Sequence, residues 1–300
     1  MRKNLVIYHR VDYDGIFSAI IVRKYYQGKG IITDLKGWNY GDMPLNFPEY
    51  IEKYQGIIIV DLGFSGQDMK SLMESGKITW IDHHQTSIQD SEVQQYDKIP
   101  GIRKIGIAAC ELCWKYFYPH RETPRIIQIV GAYDVWNKEK FDWEETTVPV
   151  QYGLRETYSL NLKSIETDWE SLCNDQFEWI TDTGGKIYSW IKRSAESWIT
   201  NCSFEVTISE TYKGIAIISP ISGSLIFNSV LNKYDIFLVI QVINSGTGYS
   251  VSMYTEKDLP DFSCGEYLKK NYNGGGHKKA AGSMNITREQ FERLIFEHKF

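Results

Sequence analysis

No stretch of the 300 residues stays apolar long enough to suggest a membrane span, and the N-terminus lacks the pattern of an export signal. Met1 to Lys3 is positively charged and Leu5-Val6-Ile7 is apolar, but His9, Arg10 and Asp12 end that run almost at once. The expected setting is the cytoplasm, with no membrane partner. Positive charge is not in surplus either, with 33 Lys and Arg against 38 Asp and Glu and a net charge of −5. That balance argues against the broad basic face that holds long duplex nucleic acid and leaves short or small phosphorylated ligands open. The five cysteines, Cys110, Cys113, Cys173, Cys202 and Cys264, are odd in number and scattered, so reduced thiols are expected rather than a disulfide framework. Cys110 and Cys113 form a C-x-x-C with no second pair to complete a zinc site, and their apolar, helical surroundings point to core packing. Internal repeats, heptads, a Walker phosphate loop, a nucleophile elbow and a Rossmann fingerprint are all missing.

What is present is enough apolar material, 42% of residues, to bury a sizeable core, divided between two domains. The stretch that organises the rest is Asp82-His83-His84, at the end of the run Lys77-Ile78-Thr79-Trp80-Ile81. A β-branched and aromatic run that stops on three polar, metal-capable residues reads as a buried strand delivering them to the ligand-binding edge of an open α/β sheet. Neighbouring side chains on a strand face opposite sides, so one histidine is expected to ligate and the other to act differently. The competing reading is a surface histidine pair.

The same arrangement recurs upstream. Leu5-Val6-Ile7-Tyr8 reads as a first strand, followed by His9, Asp12, Asp14 and Gly15 in a loop and by Ile16 to Val22 as a helix. Gly15 permits a tight turn there. A nitrogen donor with two carboxylates suits Mn²⁺, with Mg²⁺ or Co²⁺ as substitutes, although aspartates in such a loop also cap helices. Ile31 to Leu35 and Gly56 to Val60 are further strands, the latter ending on Asp61, and Gln67 to Ser75 is a helix. Strands alternating with helices imply a mostly parallel sheet whose C-terminal edge gathers His9, Asp12, Asp14, Asp61 and His83. Helices are expected over Gly106 to Tyr118 and Ile126 to Gly131, with Asp134 beyond as a further carboxylate that could equally be a turn residue. Thr146 to Thr157 reads as helical or irregular. Phe177 to Trp198 reads as a helical connector.

From Ser203 the texture changes to short strands at Phe204 to Ile208, Gly214 to Ile218, Ile236 to Ile240 and Tyr249 to Tyr254. The sequence Gly274-Gly275-Gly276-His277-Lys278-Lys279 follows, read as three glycines leading into a helix start that would admit an anion. The expected fold class is α/β: an N-terminal parallel sheet flanked by helices (1–170), a helical linker (171–202) and a smaller α/β domain (203–300).

Taken together, His9-x-x-Asp12-x-Asp14-Gly15, Asp61, Asp82-His83-His84, Asp134 and Gly274-Gly275-Gly276-His277 resemble, in order, the motifs of the DHH phosphoesterase superfamily with its DHH-associated C-terminal domain. Trp80 to His84 and Gly276 to Gly282 are most similar to the branch of nanoRNases and oligonucleotide phosphodiesterases. Two departures stand out: the first aspartate comes three residues after His9, where some relatives have a longer interval, and Ser252-Met253-Tyr254-Thr255 lacks the arginine that many relatives carry there. The resemblance implies two divalent cations, usually manganese. His9, Asp12 and Asp61 would hold one; Asp14, Asp61, His83 and Asp134 would hold the other, with Asp61 bridging. It further implies that Asp82 orients a histidine, that His84 faces the scissile phosphate, and that Gly274, Gly275, Gly276, His277 and Lys278 grip the substrate from the far side of an interdomain cleft.

Two cations about 3.5 to 4 Å apart activate water and clamp a phosphate. The expected activity is therefore hydrolysis of short single-stranded oligonucleotides or linear dinucleotides to mononucleotides; Trp38, Tyr40 or Trp136 could stack a base, although packing is the commoner role for each in a chain with nine Trp. The rivals are a phosphomonoesterase acting on nucleoside bisphosphates, a polyphosphate hydrolase and a non-catalytic nucleotide sensor. A homodimer is compatible with the sequence.

Overall fold

The apolar runs expected as buried strands form a sheet covered on both faces. In the computed structural model, which describes residues 3–88, 98–221, 223–243 and 246–296, β1 (Lys3–His9), β2 (Ile32–Trp38), β3 (Gly56–Val60) and β4 (Ile78–Ile81) lie in the order β2-β1-β3-β4. Each neighbouring pair is parallel, and parallel neighbours need crossovers long enough to carry helices. Those are α1 (Tyr13–Gln27), α2 (Phe47–Lys53) and α3 (Gly66–Glu74). Leu5 and Ile7, with Ile57, Ile59, Ile78 and Trp80, face a layer containing Phe47, Met69 and Leu72. Val6, Ile58, Val60 and Ile81 face the opposite layer of Phe17, Ile20, Leu112 and Ile127. Because strand side chains alternate, burying both faces demands runs without polar interruption, which is why Gly56-Ile57-Ile58-Ile59-Val60 carries no charge. Each fully buried isoleucine contributes roughly 1.5–3 kcal/mol.

The same demand fixes where polarity begins. In β1, β3 and β4 the buried runs give way to charged or ionisable residues at the sheet's C-terminal edge, where His9, Asp61 and Asp82 emerge. Beyond it, α4 (Ala109–Phe117), α5 (Arg125–Asp134) and α6 (Val148–Tyr158) cover the α1 side, α6 being preceded by a π-helical turn at Trp143–Thr147. Cys110 and Cys113 are free and buried on α4, where Cys110 belongs to the core layer as expected.

The chain divides into two compact units, Met1–Tyr188 and Ser189–Phe300, and the boundary falls within α7 (Glu178–Cys202). No helix among the described residues is long and apolar enough to cross a membrane. The second unit contains β5 (Ser203–Ile208), β6 (Tyr212–Ile218), β7 (Ile236–Ile243), β8 (Gly248–Tyr254), α8 (Cys264–Tyr272), β9 (Gly275–Gly276), β10 (Ala280–Ile286) and α9 (Arg288–Phe296). Its strand order is β5-β6-β7-β8-β10-β9, with β6 and β7 parallel and the other pairs antiparallel. Val206, Leu238, Ile240, Val251 and Met253 form its core with Leu268 and Leu294.

One expectation is corrected here. The glycine run does not lead into a helix: it follows α8, whose end is marked by left-handed Asn273, and turns into the β9–β10 hairpin. The glycines answer to crowding. A Cβ on Gly274 would lie 2.4 Å from the Gly282 carbonyl oxygen, and one on Gly276, at φ +138°, 2.7 Å from that of Ala280. The anion-binding geometry of a helix N-terminus is therefore not what this stretch supplies.

Candidate metal centre

Three strand ends and two helix ends deliver the candidate ligands. His9 is the last residue of β1, Asp61 directly follows β3, and Asp82-His83-His84 directly follow β4. Asp12 caps α1, its Oδ1 accepting the Gly15 N–H at 2.9 Å. Gly15 is needed for close approach rather than for a turn, since a Cβ there would stand 2.1 Å from the His9 carbonyl oxygen. Asp14, in the first turn of α1, is not the residue that caps this helix. Its two carboxylate oxygens accept the Ala109 and Cys110 N–H groups at 2.8 and 2.7 Å, so it holds the start of α4. Asp134 is the last residue of α5.

These residues converge. His83 Nε2 lies 3.1 Å from Asp61 Oδ1 and 3.3 Å from both Asp14 Oδ2 and Asp134 Oδ2. His9 Nδ1 lies 2.5 Å from Asp12 Oδ2 and 3.6 Å from Asp61 Oδ2. His9, Asp12 and Asp61 can thus offer one cation a shared point, and Asp14, Asp61 and His83 another, with Asp61 common to both. A third grouping joins Asp61, Asp82 and His84.

Asp82 is fully buried and acts as the fastener of the loop. Its Oδ1 accepts the backbone N–H groups of His83 and His84 at 2.8 and 3.2 Å and sits 2.8 Å from His84 Nδ1. The strand has already ended at Ile81, so the alternation rule does not separate the two imidazoles; their ring centroids are 4.7 Å apart. Asp61 is held with φ at +57°, a left-handed conformation that costs a non-glycine residue about 1–3 kcal/mol and persists only where surroundings enforce it.

The electrostatics reinforce this crowding. Burial and then the charges of Asp61 and Asp134 push the Asp14 carboxyl well above its usual range. Burial likewise pushes Asp134 up to about 6, with His83 opposing and Asp61 reinforcing the rise. Burial works against a charged Asp61 too, but the neighbouring His83 and His9 imidazoles outweigh it and hold this carboxyl below the usual range. Among the described residues, the buried Oδ2 atoms of Asp61, Asp82 and Asp134 accept no hydrogen bond. Buried carboxylates repelling one another, with unsatisfied oxygens and imidazole nitrogens alongside, form a donor set that fits divalent cations.

Sequence reasoning passed over Asn39, whose Oδ1 lies 3.0 Å from His9 Nε2, and it offered Tyr40 either for packing or for stacking a base. Tyr40 stands edge-on to His9, with its hydroxyl oxygen accepting the Gly63 N–H at 3.1 Å. Trp38 packs against Tyr40 and Phe64, and Trp136 against Trp143. Gly274, Gly275, Gly276, His277 and Lys278 all lie in the second unit. There Lys278 Nζ pairs with Asp258 at 2.9 Å and the His277 N–H is donated to the Ala280 carbonyl.

The chain is similar to known proteins along most of its length. Residues 3–132 match the DHH family, N-terminal domain. The chain is 22% identical over 292 residues to an uncharacterized protein of Acanthamoeba polyphaga mimivirus and 23% identical over 313 to the oligoribonuclease NrnB of Bacillus subtilis (strain 168). These alignments cover 93% and 97% of this chain, which spans 66% and 75% of those proteins' own lengths. Among solved structures, a pGpG-specific phosphodiesterase, PggH, from Vibrio cholerae superposes with a TM-score of 0.52 at 13% identity, covering 98% of this chain and 96% of that one. The exonuclease RecJ bound to manganese superposes with a TM-score of 0.50 at 13% identity, covering 98% and 88%. At such identities the structural likeness is one of fold.

Proposed function

We propose that this chain, whose residues 3–132 match the DHH family, N-terminal domain, hydrolyses short single-stranded oligonucleotides or linear dinucleotides to mononucleotides. The observation that carries the reading is the sharing of Asp61 between two ligand groups, His9 with Asp12 and Asp14 with His83. His9, Asp12 and Asp61 would hold one divalent cation and Asp14, Asp61, His83 and Asp134 the other, manganese suiting a set of carboxylates and imidazoles. Such a pair, when bound, supplies a water nucleophile active at neutral pH and neutralises charge on the phosphate.

The chain's own residues supply the rest. The left-handed Asp61 directs its two oxygens toward different imidazoles, His83 and His9, at 3.1 and 3.6 Å. Asp82, by occupying His84 Nδ1, fixes that ring's orientation and favours its charged form, which suits His84 to hydrogen-bond the phosphate or protonate the leaving oxygen. The net charge of −5 favours a short substrate over a long duplex, and the names of NrnB and PggH point the same way. His277 and Lys278, with the hairpin of Gly274, Gly275 and Gly276, are assigned to substrate binding.

The test is turnover on a panel of dinucleotide, short RNA, bisphosphorylated adenosine, cyclic dinucleotide and polyphosphate, with and without Mn²⁺. Mn²⁺-dependent release of mononucleotides from the dinucleotide and the short RNA is expected. Preferential release of phosphate from the bisphosphate or polyphosphate would replace this reading with a monoesterase or polyphosphatase. Binding without turnover of any member would make the protein a sensor.

A further inference from the structure

The loop after β2 carries a device that aims His9. In the parallel register His9 stands opposite Trp38, so the residue after Trp38 leaves the sheet at the edge where His9 ends β1. That residue is Asn39, and its Oδ1 lies 3.0 Å from His9 Nε2. The loop around it is tied down. Asp42 Oδ2 accepts the Asn39 N–H at 2.9 Å, and the Asp42 N–H is donated to the Asn39 carbonyl at 3.0 Å. Arg10, the residue after His9, grips the same Asp42 through Nε and Nη2 at 3.1 and 2.8 Å, while its own N–H reaches the Trp38 carbonyl at 3.2 Å. Both ends of the device are therefore built on adjacent strand ends, one residue beyond a paired register position.

The rest of the imidazole's surroundings fix its plane. Tyr40 and His84 stand edge-on to it, with ring centroids 5.9 and 6.3 Å away, and its side chain is only 13% exposed. For Nδ1 to hold a cation alongside Asp12 and Asp61, that nitrogen must present its lone pair, so the ring proton belongs on Nε2. A proton on Nε2 needs an acceptor, and Asn39 Oδ1 is placed to be one. We propose that Asn39, braced by the Arg10–Asp42 pair, is a positioning residue that selects the Nε2–H form of His9 and thereby sharpens the cation site of His9, Asp12 and Asp61. This inference rests on the metal-centre reading and not on the identity of the substrate. A loop bond of purely structural value would leave the cation affinity alone, and the two roles separate on that measurement.

The experiment is calorimetric titration of the full chain with Mn²⁺, comparing the unaltered protein, Asn39→Ala and Asn39→Asp, with thermal unfolding of each in chelator as a check on folding. Removing the acceptor in Asn39→Ala is expected to weaken one of two binding steps about 10- to 100-fold and leave the other unchanged. Asn39→Asp keeps an acceptor oxygen and is expected to bring the weakened step back to within a few-fold of the unaltered protein. Superimposable isotherms for Asn39→Ala and the unaltered protein overturn the proposal, as does a loss in both steps that Asn39→Asp fails to repair. Absence of Mn²⁺ uptake by the unaltered protein overturns the metal centre itself, and this role with it.

Discussion

The C-terminal edge of the first unit's sheet and the glycine hairpin of the second both look chemical in the sequence, but their physics differs. At the first, Asp14, Asp61, Asp82 and His83 are almost wholly buried, several carboxylate oxygens accept no hydrogen bond, and Asp61 is held in a strained conformation. Asp14 and Asp82 also serve the fold, at the start of α4 and in the loop after β4, but those bonds do not account for the unsatisfied oxygens of Asp61, Asp82 and Asp134 or for the left-handed Asp61; a ligand would. At the second, Gly274 and Gly276 are demanded by backbone atoms 2.4 and 2.7 Å from where a Cβ would sit, and Lys278 already has Asp258 as a partner. A motif explained by its own packing is weaker evidence of function than one its packing leaves unexplained.

The sharpest way to break this contrast is Asp61→Gly. Glycine accepts the left-handed backbone without strain, which offsets the loss of the contacts with His83 and His9, so the metal-free fold is expected to stay within about 1 kcal/mol of the unaltered protein in urea denaturation while turnover falls to background. Loss of both stability and activity would show that Asp61 serves the fold instead. Next in size, His84→Ala is expected to lower kcat about 10²- to 10⁴-fold with metal content unchanged, as for loss of a general acid. A fall in metal content matching that of His83→Ala would exchange the two histidines' roles. In the second unit, Gly276→Ala is expected to cost about 1–3 kcal/mol by denaturation without altering metal content. A neutral result there would remove the packing explanation and return the hairpin to a purely ligand-binding role. The smallest effect is assigned to Lys278→Ala: stability within about 0.5 kcal/mol, since its ion pair is exposed, with a raised KM. An unchanged KM would remove Lys278 from the substrate site.

What the sequence made legible is what strand periodicity governs. Uninterrupted apolar runs located β1, β3 and β4, and the polar residue ending each run placed His9, Asp61 and Asp82 at one edge. Relationships across long sequence separations were not legible. Asp14 binds the start of α4 some ninety-five residues away, which no local pattern encodes. Asn39 meets His9 only through the β1–β2 register, and a short polar loop gives no sign of register. The left-handed Asp61 was equally hidden, because aspartate, although enriched among non-glycine residues at positive φ, rarely adopts that conformation and here its surroundings impose it. The glycine run does carry a local signal. Lys269 and Lys270 followed by Asn273-Gly274 form a helix-stop signal, which marks the run as the end of α8 and not the start of another helix.

The central claim is that Asp61 joins two cation sites, and the most direct test is the number of manganese ions retained per chain after equilibration with Mn²⁺ and removal of free metal. Two ions in the unaltered protein, and fewer in Asp61→Gly, is the expected result. One ion or none in the unaltered protein, or two in Asp61→Gly, would contradict it.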